Sequence, residues 1–117
     1  RMSIVILAII VRYLQTIYTV NSRTVPEAAR RIRVRGRVQG VYFRASAAER
    51  AMALSLCGRA ENLRDGSVLV LAGGSADALA KLVAWLQTGP PMARVDAVEV
   101  EDIDPAAQEW PAGFQQK

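Results

Sequence analysis

Histidine is absent from this 117-residue chain, and cysteine occurs once, at Cys57. A single thiol forms no internal disulfide, and without imidazole there is no zinc site of the usual nitrogen and sulfur ligands. The same absence removes the commonest general base and every Ser–His or Cys–His nucleophilic pair. No metal and no cofactor is expected, so any chemistry here runs without imidazole. Cys57 also lacks the Cys-x5-Arg spacing of a cysteine phosphatase, because Leu63 stands where the arginine would be. It reads as a packing thiol.

Long apolar runs are missing too. The longest, Ile4–Val11, falls well short of the ~20 residues that cross a bilayer. Arg1 followed by a short apolar stretch has the outline of a signal peptide, but no small-x-small cleavage site follows it closely. Residues 1–30, ending in the polar stretch Asn21–Thr24 and Pro26, read instead as an N-terminal extension, loosely ordered or foreign to the natural protein. No stable membrane insertion is expected, and the location expected is cytoplasmic. Glycine and proline are near average usage at 8 and 5 residues, and no low-complexity tract occurs, which excludes collagen, solenoid and disordered classes.

What is present is one domain's worth of chain, 51% hydrophobic and 22% charged, with a net charge of +4 that favours anionic partners. The domain is placed at residues 31–117. Ile32, Val34 and Val38 alternate with Arg31, Arg33, Arg35 and Arg37, the period-2 pattern of a half-buried strand with one basic face. A helix is expected over Arg44–Leu56, with Ser46 and Glu49 in capping-box spacing and Gly58 ending it. Two strands, Arg59–Arg64 and Ser67–Ala72, flank Asp65-Gly66, a dipeptide suited to a tight hairpin turn. Ser75 caps a second helix whose Leu79, Leu82, Val83 and Leu86 share one face, and Gly89-Pro90-Pro91 stops it. A strand over Arg94–Ile103 changes parity between Ala97 and Val98, which predicts a bulge, and a short last strand is expected around Phe114. Strand, helix, strand, strand, helix, strand is the split βαβ order of an α+β, ferredoxin-like βαββαβ sandwich: an antiparallel sheet of four to five strands with two helices on one face.

The loop Gly36–Arg44 places flexible backbone just before a helix N-terminus, where amides can converge on an anion and an arginine can grip two phosphate oxygens. A plain strand-to-helix turn with an exposed arginine fits the spacing equally well. It is no Walker loop, since no Gly-Lys-Ser/Thr follows, and Gly36 and Gly40 have the wrong separation for a dinucleotide fingerprint.

The stretch Gly36-Arg37-Val38-Gln39-Gly40-Val41-Tyr42-Phe43-Arg44 resembles the acylphosphatase signature Gly-x-Val-Gln-Gly-Val-x-Phe-Arg at each defining position. Gly58–Val68 is similar to the family's glycine-to-asparagine strand, and Gly89–Val98 to its Gly-Pro-Pro-x-Ala-Arg-Val-x-x-Val segment, so the resemblance covers about residues 31–117. It implies hydrolysis of acyl phosphates to carboxylate and inorganic phosphate. Arg44 would then bind the phosphate, and the amides of Arg37, Val38, Gln39, Gly40, Val41 and Tyr42 would line its cradle. Asn62 would orient the attacking water; without the family it is an ordinary hairpin polar residue. One departure is Ala60-Glu61, where the family has Val-Arg/Lys; strand alternation should point Glu61 away from Asn62.

The resemblance also implies a small acyl phosphate as the partner, with free phosphate or sulfate able to occupy the cradle, and a monomer. A nucleic-acid-binding sheet is the rival, suggested by the arginines of the first strand. Such sheets stack bases on exposed aromatics, and this strand has none, so no nucleic acid is expected. The modules of larger carbamoyl-transferring maturation proteins continue into zinc-finger cysteines, which this sequence lacks.

Overall fold

Alternating apolar and basic residues give the first strand two faces. In the computed structural model, which describes residues 25–117, it is β1, Ala28–Arg37. Ile32 and Val34 are fully buried, while Arg31, Arg33 and Arg35 beside them stay partly exposed. The strand starts three residues before the expected domain boundary and ends before Val38, whose buried side chain belongs to the following loop. The Ile4–Val11 run and the Asn21–Thr24 stretch lie outside the described residues.

Helix α1, Phe43–Ala53, corrects the expected capping. Its N-cap is Tyr42, with a left-handed φ of 60° and no side-chain cap, and Ser46 lies inside the first turn, donating its amide to the Tyr42 carbonyl at 3.0 Å. The helix starts early because the neighbouring Val41 and Phe43 are both drawn into the core. It also ends early. Ser55 takes a left-handed φ of 59°, with Ser55 N–H on the Met52 carbonyl and Leu56 N–H on that of Ala51, a Schellman arrangement built on serine. Gly58, expected to end this helix, instead lies in β2, Cys57–Asn62.

The hairpin is looser than a two-residue turn. Between β2 and β3, Val68–Gly74, Gly66 N–H donates to the Leu63 carbonyl at 3.2 Å and Leu63 N–H to that of Ser67 at 2.9 Å. Only Gly66 takes positive φ, 90°, so the loop has the three-residue form with glycine at the left-handed position. Helix α2, Ala76–Leu86, is capped as expected, with Ser75 Oγ accepting from Ala78 N–H at 3.1 Å. The predicted bulge is present in β4, Arg94–Ile103: Arg35 pairs with Ala97 but Gly36 pairs with Val95, leaving Asp96 as the extra residue.

The sheet order is β4-β1-β3-β2-β5, with β5 spanning Phe114–Gln116. The first four strands pair antiparallel, as the ferredoxin-like reading requires, but β5 pairs parallel to β2. Topology explains this departure from an all-antiparallel sheet. β4 ends where β2 begins, so a chain crossing the sheet at that end must enter β5 in the direction of β2. Both helices pack on one face, where Phe43, Ala47, Leu79, Leu82 and Leu86 meet Ile32, Val34, Val68 and Val70.

The opposite face is covered in part by the crossing segment. Trp110, buried against Ala29 and Leu71, donates its indole N–H to the Pro105 carbonyl at 2.7 Å. On the rest of that face the arginine stripe meets acids. Arg31 pairs with Glu101 at 3.4 Å, and Arg35 with Glu99 and, at 3.3 Å, with Asp65. These exposed pairs add little stability, but they cancel much of the field that would attract a polyanion.

Gly58 has φ 139°, and a Cβ there would stand 1.8 Å from the Leu71 carbonyl oxygen. Strand pairing with β3 leaves no room to relieve that overlap. Gly58→Ala is expected to lower unfolding free energy by about 3 kcal/mol or more, read from the urea midpoint.

Candidate active site

The connection from β1 to α1 is anchored by its apolar side chains. Val38, Val41 and Phe43 are buried, and Phe43 stacks at a tilt on Trp85 with ring centroids 6.0 Å apart. Gly40 at φ 75° and Tyr42 at φ 60° let the backbone reverse between these anchors. The amides of Gln39, Gly40, Val41, Tyr42, Phe43 and Arg44 donate to no protein acceptor among the described residues. No acidic residue occupies the first turn of α1. Unpaired amides and the positive end of a helix dipole therefore lie together in this loop, a combination that favours an anion.

Arg44, half-buried in the first turn of α1, donates from Nη1 to the main-chain oxygen of Lys117 at 2.6 Å. The same oxygen accepts the backbone N–H of Asn62 at 3.4 Å. Lys117 is held there in turn by its own N–H on the Ala60 carbonyl, 2.8 Å. One atom thus gathers the guanidinium, the end of β2 and the strand beside it, leaving most of the guanidinium's five N–H donors for another ligand. Asn62 itself is exposed at the end of β2.

Other loop residues divide by role. Tyr42 is 82% exposed and Arg37 is exposed at the end of β1. The Gln39 side chain does not line the cradle: its Nε2 donates to the carbonyls of Leu63, 2.8 Å, and Ser67, 3.0 Å, on the β2–β3 hairpin. Only its backbone amide remains for an anion. Glu61 lies on the face opposite Asn62 and approaches Arg59 at 3.7 Å, while Ala60 is fully buried in the core. The acidic departure is thereby partly matched by a neighbour. The Lys117 oxygen and the two hairpin carbonyls had no signal in the sequence, because main-chain atoms carry no residue identity.

Burial pushes the Cys57 thiol up, which leaves it a poorer nucleophile, and no group of three or more histidine, cysteine or acidic residues that could hold a metal occurs among the described residues. No helix among them is long and apolar enough to cross a membrane. Around the hairpin, the Ser67 hydroxyl and amide, then Arg35, hold the Asp65 carboxyl below the usual carboxylate range. Glu99 is lowered likewise by its hydrogen bond to Arg35.

These features define a small α+β domain in which a loop of unpaired amides and one arginine lie together at a helix N-terminus. The chain matches the family model described as Acylphosphatase over residues 30–116, and it belongs to the acylphosphatase family, whose members hydrolyse the carboxyl–phosphate bond of acyl phosphates. It is 51% identical over 78 residues to the acylphosphatase of Azoarcus sp. (strain BH72), covering 67% of this chain and 80% of that one. With the acylphosphatase of Halorhodospira halophila it shares 47% identity over 91 residues, 77% of this chain and 99% of the relative. The solved acylphosphatase of Coxiella burnetii superposes with a TM-score of 0.72 at 37% identity, covering 79% of this chain and 94% of that structure.

A carboxylate whose pKa is lowered by folding contributes stability that is complete above its ordinary pKa and is lost as pH falls through the lowered value. For Asp65 that loss lies on the acid side of the ordinary carboxylate range. Ser67→Ala, which removes the first of the causes, is expected to reduce stability at neutral pH and to flatten its decline on acidification. Urea midpoints at about pH 7 and about pH 3 measure both effects.

Proposed function

We propose that in the acyl phosphate hydrolysis of this family Arg44 and the amides of Arg37–Tyr42 hold the phosphoryl group while Asn62 orients the attacking water. The observation that carries the reading is the single Lys117 oxygen on which Arg44 Nη1 and the Asn62 N–H converge, next to an uncapped helix N-terminus. Grip and water-bearing residue are then neighbours although 18 positions separate them in the chain.

Water attacks phosphorus as the bond from phosphorus to the carboxyl oxygen breaks, and the carboxylate leaves with the bonding pair. Because this leaving group is stable as an anion, it needs no strong acid. The transition state is loose, with charge on the peripheral oxygens, so fixed donors aimed at those oxygens supply most of the stabilisation. The Asn62 amide can accept from and donate to the water, setting it in line. The water's proton passes to a phosphoryl oxygen, since no histidine is present and the motif provides no other base. The reading takes the enzyme as metal-independent, monomeric and cytoplasmic, with inorganic phosphate or sulfate able to occupy the same cradle.

Benzoyl phosphate hydrolysis in the presence of EDTA tests this. Wild-type protein is expected to turn over, and Arg44→Ala to lose activity on the order of 10²–10³-fold together with competitive inhibition by inorganic phosphate. Asn62→Ala is expected to lose roughly 10²-fold in kcat while keeping phosphate inhibition. Loss of turnover with EDTA, recovered on adding a divalent ion, would refute the metal-free mechanism.

A further inference from the structure

Strand order poses a problem for the site. The cradle follows β1 and Asn62 ends β2, yet β3 lies between those strands. Two strand spacings, roughly 10 Å, therefore separate β1, which carries the cradle loop, from β2, which carries Asn62, and ladder hydrogen bonds do not tie the loop to β2 directly. The Gln39 side chain does. From within the cradle loop its Nε2 reaches the Ser67 carbonyl, just before β3, and the Leu63 carbonyl, one residue beyond Asn62.

Both carbonyls are already partnered inside the hairpin. Leu63 accepts from Gly66 N–H at 3.2 Å and Ser67 accepts from Leu63 N–H at 2.9 Å. The hairpin consequently closes without Gln39, and the two side-chain bonds serve to dock it on the cradle. Gln39 is half-buried, so these bonds are shielded in part from competing water. Its flanks are pinned as well, with Val38 and Val41 in the core.

Resting on the roles given to Arg44 and Asn62 above, we propose that Gln39 is a positioning residue: its side chain fixes the distance and angle between the phosphate cradle and Asn62. It contacts neither substrate nor water through this amide. A misplacement near 1 Å between grip and nucleophile costs about 10²-fold in rate, so the clamp affects turnover more than phosphate binding.

The test is a double-mutant cycle on the full chain with benzoyl phosphate, using Gln39→Met, Asn62→Ala and the pair, with circular dichroism and the inhibition constant for inorganic phosphate alongside. Gln39→Met is expected to lower kcat by roughly tenfold or more while the phosphate inhibition constant moves less than about threefold. In the Asn62→Ala background the same substitution is expected to cost less than about twofold, because the residue being positioned is gone. Gln39→Glu, which keeps the length but removes both donors, is expected to follow Gln39→Met. An undiminished loss in the Asn62→Ala background, or equal losses in kcat and phosphate binding, overturns the clamp while leaving the site assignment intact. Unfolding of both Gln39 variants also overturns it, by making the bonds structural. Wild-type kcat in Asn62→Ala overturns the water-orienting role and the clamp together.

Discussion

Backbone amides at the start of α1 cannot be paired within the helix, and in most proteins a Ser, Asp or Asn side chain takes one of them. Here the cap position is held by Tyr42 in a left-handed conformation, with no side-chain acceptor. The preceding loop is pinned by Val38 and Val41, and its amides from Gln39 to Tyr42 meet no protein acceptor among the described residues. The rest of the molecule serves to maintain that arrangement. Trp85 packs on Phe43, one residue before Arg44, and Gly89 passes so close to the Phe43 ring that a Cβ would sit 2.6 Å from it.

The opposite side of the site is built by chain crossing. β5 runs parallel to β2 because the segment after β4 must traverse the sheet at the end where β2 begins, and that route delivers the Lys117 oxygen to Arg44 and Asn62. Trp110, seated on Ala29 and Leu71, holds the crossing segment against the sheet. Packing on the face away from the helices is in this way coupled to the position of a guanidinium on the helical face.

Charge is distributed to the same end. Unbalanced, the arginines of β1 would make the open sheet face the strongest anion attractor on the domain. Glu99 and Glu101 on β4, and Asp65 at the hairpin, pair with Arg31 and Arg35 there. Because pairs this exposed contribute little to folding, their main effect is on the field, which they weaken over the open face.

Local patterns were legible in the sequence wherever a residue's own chemistry decides its structure. Ile32 and Val34 among arginines specified a strand, Ser75 specified a helix start, and the parity change near Val98 specified a bulge, because period, capping and register are short-range properties. The nine-residue loop likewise pointed to the family. Errors fell where distant contacts prevail: Ser46 lost the cap because Val41 and Phe43 are drawn into a core built from other strands, and Gly58 serves a contact with Leu71 rather than a helix end. Composition by itself excluded imidazole chemistry, and the motif by itself pointed to the family that the chain belongs to. Only the tertiary structure decided how Asn62 comes beside Arg44, since the atoms that join them, the carbonyls of Lys117, Leu63 and Ser67, belong to the backbone and are placed by the sheet's order.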